Sequence, residues 1–239
     1  MRLLDLPLPA GLLRKRIYPG EFYPFWEHFC PGFSEPCRDL VKEDVTIAVK
    51  EKATVILGGM LTAKRDRLLI KITGWPRMGF LKEIFPDAKF IHIFRDGRSV
   101  ANSWLQLDWW SGWGGPERWR WGGLSEEQRQ KWDHSGRSFI VLAALGWEIL
   151  MRAFAEAERS LPDGDVLRIP YEGLCREPGL WFRRAAEFAE MEWPAKLEEI
   201  VGRFPWHCAD DKWRHDLTGA QQQMLIEALA CTSKRYGYE

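Results

Sequence analysis

An arginine that closes an apolar run, followed eight residues later by a serine, is a pair suited to holding a small anion. The stretch KFIHIFRDGRSVANSW, Lys89 to Trp104, contains such a pair as Arg95 and Ser103. Arginine offers a planar fork of donors and serine a hydroxyl, which together match a phosphate. KFIHIF reads as a buried strand, and RSVANSWL as the start of a helix capped by Asp96 or Ser99. Arg95 then stands at the strand's C-terminal end. Ser103 lies on the helix flank, on the same face as Ser99 one turn earlier. The spacing equally accommodates a structural arrangement, with Arg95 paired to Asp96 or Asp108 and Ser103 bonded to its own helix backbone.

The elements around this pair follow from patterning. RLLIKI reads as another short buried strand, PRMGFLKEIF as a helix with proline in its first turn, and PDA as the turn into KFIHIF. Strand, helix and strand in that order predict parallel strands joined by a right-handed crossover. SGRSFIVLAALGWEILMRAFAEAERSL predicts a long helix with a wide apolar face, and DVLRIP a further strand. YEGLCREPGLWFRRAAEFAEM, PAKLEEIVGRF and TGAQQQMLIEALACTSKRYG predict helices to the end of the chain. KEDVTIAVKEKATVILGGMLTAKR also has helical spacing, interrupted by Gly58 and Gly59. Alternating strands and helices predict a three-layer α/β fold that binds ligands beyond its strand C-termini, where Arg95 falls. With no repeat or low-complexity linker, residues 1–239 read as one domain.

Composition narrows the function. The formal net charge is zero, which argues against non-specific nucleic-acid binding but leaves a local anion site open. Cys30, Cys37, Cys175, Cys208 and Cys231 have no metal-ligand spacing and read as reduced, cytosolic thiols. No His/Cys/carboxylate cluster suggests a metal. Asp5, Pro7 and Pro9 break up the apolar N-terminus, so it does not read as a signal peptide, and no apolar run approaches a membrane span. The chain reads as cytoplasmic. Of its 14 tryptophans, six crowd into SWLQLDWWSGWGGPERWRWGG, as an aromatic acceptor surface or as packing for an irregular loop.

FPDAKFIHIFRDGRSVANSW resembles the 3′-phosphate-binding segment of sulfotransferases that use 3′-phosphoadenosine 5′-phosphosulfate (PAPS), specifically the bacterial and tyrosylprotein-type branch. The resemblance implies a P-loop NTPase-like α/β sandwich around a central parallel sheet, with Arg95 and Ser103 on the nucleotide 3′-phosphate. VLRIPYEGLCREP resembles the family's strand followed by Tyr-Glu-Asp-Leu, which implies Tyr171 near the nucleotide; Gly173 replaces the aspartate. DDKWRHDLTGAQQQ resembles the segment that closes over the cofactor, implying Lys212 and Trp213. Lys71, in LIKITGWP, matches a lysine that stabilises the leaving nucleotide. The histidine that cytosolic members carry two residues later is Thr73 here. Gly20-Glu21 resembles the Gly-Glu stretch of tyrosylprotein-type members and implies Glu21 as the base.

The resemblance therefore implies transfer of a sulfuryl group from PAPS, without a metal, to a hydroxyl or amine of a small-molecule, carbohydrate or lipid acceptor. A different class of reading is an inactive relative whose tryptophan loop binds glycans or a protein. A P-loop kinase would need a Lys-Ser or Lys-Thr loop that is not found. The family's first strand and its Arg-Ser-Gly-Thr-Thr-like loop are also not found, TVILGGMLTAK being the nearest imitation. The expectation is a chain that starts downstream of that loop and lacks it.

Overall fold

The computed structural model describes residues 21, 23–34 and 38–238, which fall into two compact units. The first takes in Thr46–Gly74 and the described residues before Glu35. Helix α1 (Tyr23–Phe29) leads into a turn held by Glu27, whose carboxylate accepts from Gly32 N at 2.7 Å and Ser34 N at 2.8 Å. Trp26 stacks on Phe33 with ring centroids 4.8 Å apart. Helix α2 (Ile47–Gly58) starts where the Thr46 hydroxyl accepts from Val49 N, and it buries Ala53 and Leu57. It stops at Gly58-Gly59, the pair that interrupts the helical pattern.

RLLIKI departs from its expected role. Residues 67–72 form no strand, and Leu69 is 94% exposed. The run has the composition of a buried strand, yet among the described residues no ladder pairs its backbone. Apolar composition alone cannot supply a partner.

The second unit holds the remaining described residues. Its strands β1 (Phe90–Phe94) and β2 (Val166–Pro170) are parallel, in register from Phe90 opposite Val166 to Phe94 opposite Pro170. Helix α3 (Met78–Ile84) precedes β1, and between the two strands in sequence come α4 (Gly97–Trp104), α5 (Glu126–His134) and α6 (Phe139–Arg159). After β2 come α7 (Tyr171–Arg176), α8 (Pro178–Phe188), α9 (Ala195–Arg203), α10 (Lys212–Asp216) and α11 (Gly219–Arg235). The expected mixture of helices and a parallel sheet is present, with two strands in the described residues.

Helix α6 is the spine of the core. It buries Ile140 to Glu148 without a break, then Leu150 and Met151, and packs on α4 and α11. One face of β1 meets it through His92, which stacks on Phe154 at 4.0 Å and bonds Glu158 Oε1 at 2.7 Å. Arg168 of β2 closes on the other oxygen of Glu158. His92 is thus a buried, packed histidine of the core.

The tryptophans mostly build this core. Trp104 stacks on Trp121 at 5.0 Å, and Trp110, Trp119, Trp121 and Trp132 are buried. Indole N–H groups of Trp75, Trp119 and Trp132 donate to the carbonyls of Arg120, Gly122 and Ser138, which pins the irregular loop. Trp109 and Trp113 remain exposed. The packing reading therefore holds for the buried rings of this segment.

Candidate functional site

The β1–α4 turn shows why RDGR folds as it does. The Asp96 side chain caps α4 by accepting from Arg98 N at 2.9 Å, and it pairs with the Arg98 guanidinium. Gly97 follows because a Cβ there would lie 2.6 Å from the Trp147 ring. The capping carboxylate places negative charge at the helix N-terminus, so anion binding here falls to side chains.

Arg95 is the side chain so placed. Phe94 and Pro170 are register partners, so the residues that follow them, Arg95 and Tyr171, leave the sheet side by side. The Arg95 guanidinium lies over the Tyr171 ring, 4.7 Å from its centroid. Its Nη2 donates to Ala209 O at 2.7 Å, and Asp210 is 3.9 Å away. Its Nε is buried with no hydrogen-bond partner. The hydrogen bond to Cys175, and then burial, push the Tyr171 hydroxyl above its ordinary range. Burial, followed by the charge of Glu172, pushes Asp210 up.

Three further hydrogen bonds hold this corner. Glu172, buried on α7, accepts from Asp96 N at 2.9 Å through one oxygen and from the Tyr238 hydroxyl at 2.8 Å through the other. Ser99 is buried and donates to Asp210 O at 2.8 Å. Ser103, one turn on, is exposed at the α4 flank. The fold thus brings Arg95 to Tyr171 and turns Ser99, not Ser103, towards the 207–210 stretch.

Lys212 and Trp213 sit on α10, which packs along α4. Lys212 Nζ donates to Gln106 Oε1 at 2.6 Å and lies 3.0 Å from Asp216. Bonds from Asn102, Lys212 and Gln106 pull Asp216 down to about 2. Trp213 is 1% exposed, with Arg98 and Arg214 against its ring. Its indole anchors α10 in the core.

Lys71 and Glu21 belong to the first unit. Fifty residues apart in sequence, they form an ion pair at 3.2 Å. Thr73 closes the group: its hydroxyl donates to Glu21 Oε2 at 2.6 Å, and its carbonyl accepts from the Tyr23 hydroxyl at 2.6 Å. Lys71 is 65% exposed on an extended segment. A carboxylate, an ammonium and a hydroxyl so arranged can take a proton from an incoming alcohol and stabilise negative charge beside it.

TVILGGMLTAK is not a phosphate loop. Gly58 and Gly59 end α2, where helix carbonyls gather and a phosphate is disfavoured, whereas a phosphate cradle needs the amides of a helix start. Among the described residues no group of three or more His, Cys, Asp or Glu side chains is arranged to hold a metal ion. No described helix is long and apolar enough to cross a membrane.

Sequence reasoning did not find Glu172, Tyr238, Ser99, Thr73 or Ala209 as members of these clusters. Glu172 was within reach, since it follows Tyr171 in the YEG stretch. Ala209 contributes only a backbone carbonyl, which no residue type advertises.

Comparison with known proteins bears on these clusters. Residues 36–195 match the model of the sulfotransferase family. Protein-tyrosine sulfotransferase A of Caenorhabditis elegans is 23% identical over 129 residues, covering 52% of this chain and 28% of the relative's own length. No solved structure matches the chain. The family match takes in Lys71, the RDGR turn with Arg95 and Ser103, and the Tyr171-Glu172 pair: the chain belongs to the sulfotransferase family.

Proposed function

We propose that this protein transfers the sulfuryl group of PAPS to a hydroxyl or amine of an acceptor, with the nucleotide's 3′-phosphate held at Arg95. The observation that carries this reading is the Arg95 guanidinium, set at the C-terminal ends of two parallel strands, backed by Tyr171, with a buried Nε that no group among the described residues satisfies. A buried arginine donor without an acceptor is costly unless a ligand completes it. In this reading Arg95 and Ser103 bind the 3′-phosphate, Tyr171 supports the guanidinium from below, and Lys212 adds positive charge on α10. Trp213 acts by fixing α10 in place.

The transfer itself asks for charge stabilisation and a base. Lys71 is the cation for the oxygen on which charge develops as the nucleotide leaves. Glu21 is the base that takes the acceptor's proton, and the Thr73 hydroxyl orients its carboxylate. The exposed Trp109 and Trp113 offer flat faces to a carbohydrate or lipid alcohol.

The test is a thermal melt and calorimetric titration with 3′-phosphoadenosine 5′-phosphate (PAP) beside AMP. Stabilisation by PAP alone, abolished in Arg95→Ala, is the expected result. A cooperative melt indifferent to both nucleotides would overturn the reading.

A further inference from the structure

Beside the strand ends, a donor and an acceptor stand next to one another without bonding. Arg95 Nη2 and Asp210 Oδ1 are 3.9 Å apart, beyond hydrogen-bonding distance. Arg95 Nε and Asp210 Oδ1 are both buried, and neither has a hydrogen-bond partner among the described residues. A guanidinium Nε can only donate, and an ionised carboxylate oxygen can only accept. A pair that served structure alone would close into a short, charge-assisted contact. This one stays open while main-chain bonds hold its surroundings. Buried Ser99 donates to Asp210 O at 2.8 Å, and Arg95 Nη2 donates to Ala209 O at 2.7 Å. The two side chains are 24% and 33% exposed overall, so the pair can be reached from solvent.

We propose that Asp210 is a specificity-determining residue that accepts a hydrogen bond from the ribose 2′-hydroxyl of the bound nucleotide. The assignment rests on the 3′-phosphate reading of Arg95 given above. A 3′-phosphate oxygen satisfies Arg95 Nε but offers Asp210 no proton. The 2′-hydroxyl, on the neighbouring ribose carbon, supplies that donor. An acceptor and a donor side by side on the sugar thus match a donor and an acceptor side by side on the protein. Dinucleotide-binding folds use an acidic residue on a ribose 2′-hydroxyl in the same way. The carboxylate also works by exclusion. A nucleotide phosphorylated on the 2′-oxygen would bring a second negative charge to Asp210 and leave its oxygen without a donor. One charge of each sign, Arg95 and Asp210, therefore separates a 3′-phosphate from a 2′-phosphate along one edge of the ribose.

The experiment is a calorimetric titration of the full chain with PAP, 2′-deoxyadenosine 3′,5′-bisphosphate and adenosine 2′,5′-bisphosphate. Wild type is expected to bind PAP about tenfold more tightly than the deoxy compound, the loss of one hydrogen bond to a charged group. The 2′,5′ isomer should bind about tenfold more weakly than PAP, or worse. Asp210→Ala keeps the main-chain carbonyl that Ser99 uses, and it should bind PAP and the deoxy compound alike. Asp210→Asn keeps the shape but not the charge, and it should bind the 2′,5′ isomer more tightly than wild type does. Should Asp210→Ala lose its cooperative melt, Asp210→Asn decides through the isomer, and no gain there overturns the assignment. Equal wild-type affinity for PAP and the deoxy compound would mean that solvent completes Asp210, and also overturns it. So does a preference for PAP that survives in Asp210→Ala. These results leave the 3′-phosphate reading standing, because PAP still binds; folded protein that ignores all three nucleotides overturns both.

Discussion

Arg95 lies over the ring of Tyr171, 4.7 Å from guanidinium to centroid, although 76 positions separate them in the chain. The parallel register accounts for this, since Phe94 and Pro170 are opposite one another and each strand delivers its next residue to the same edge. One residue of slip would send the two side chains to opposite faces of the sheet. Replacing the ring tests its share. Tyr171→Leu keeps an apolar side chain but removes the aromatic face, and PAP affinity is expected to fall by about 1 kcal/mol, roughly fivefold, by calorimetry. Affinity equal to wild type would show that the ring contributes nothing to the arginine.

Glu172 ties the turn after β1 to Tyr238. Glu172→Ala leaves the Asp96 amide and the Tyr238 hydroxyl without their acceptor, and about 2–3 kcal/mol of stability should go in urea melts. Tyr238→Phe removes one bond and should cost about 1 kcal/mol. The double variant should cost little more than Glu172→Ala alone, because both changes remove the same contact.

Gly97 is required by packing rather than by backbone conformation. A methyl group there meets the Trp147 ring at 2.6 Å. Gly97→Ala should therefore destabilise the protein by about 1–3 kcal/mol. Adding Trp147→Leu should remove that increment, so the alanine costs less in the shortened background, as a double-mutant cycle of thermal melts would show.

Asp39 accepts from the Arg77 amide at 2.7 Å, and burial pushes its carboxyl up to about 6. A folded-state value above the unfolded one favours the native state most when the group is protonated. That contribution is full below about 4, the ordinary range, and is lost as pH rises through about 6. Asp39→Asn lacks this titration. Its melting temperature relative to wild type should climb between pH 5 and pH 7.5, and a constant difference would contradict the assignment.

For Lys71 and Glu21 the measurement is release of PAP from PAPS in the presence of an acceptor mixture. Glu21→Gln removes a base and Lys71→Met a cation, and each should lower kcat by about 10²-fold or more with PAP affinity unaltered. Turnover unchanged in both variants would remove these residues from the chemistry.

Several parts of this protein were legible from residue order. The 3.6-residue pattern of Phe139–Arg159, the alternation of strand and helix, and the punctuation at Gly58-Gly59 and Asp96 are local properties. Local sterics and capping settle them wherever the chain goes. Arg95 was identifiable too, because a strand end followed by a helix start is itself a local pattern. RLLIKI misled for the complementary reason: its composition suits a buried strand, but burial and pairing depend on a neighbour that composition does not name. Only the tertiary structure decided that Ser99 turns to Asp210 and that Thr73 bridges to Glu21. These contacts join segments 111 and 52 positions apart, and such meetings follow from register and helix packing, which no single segment encodes.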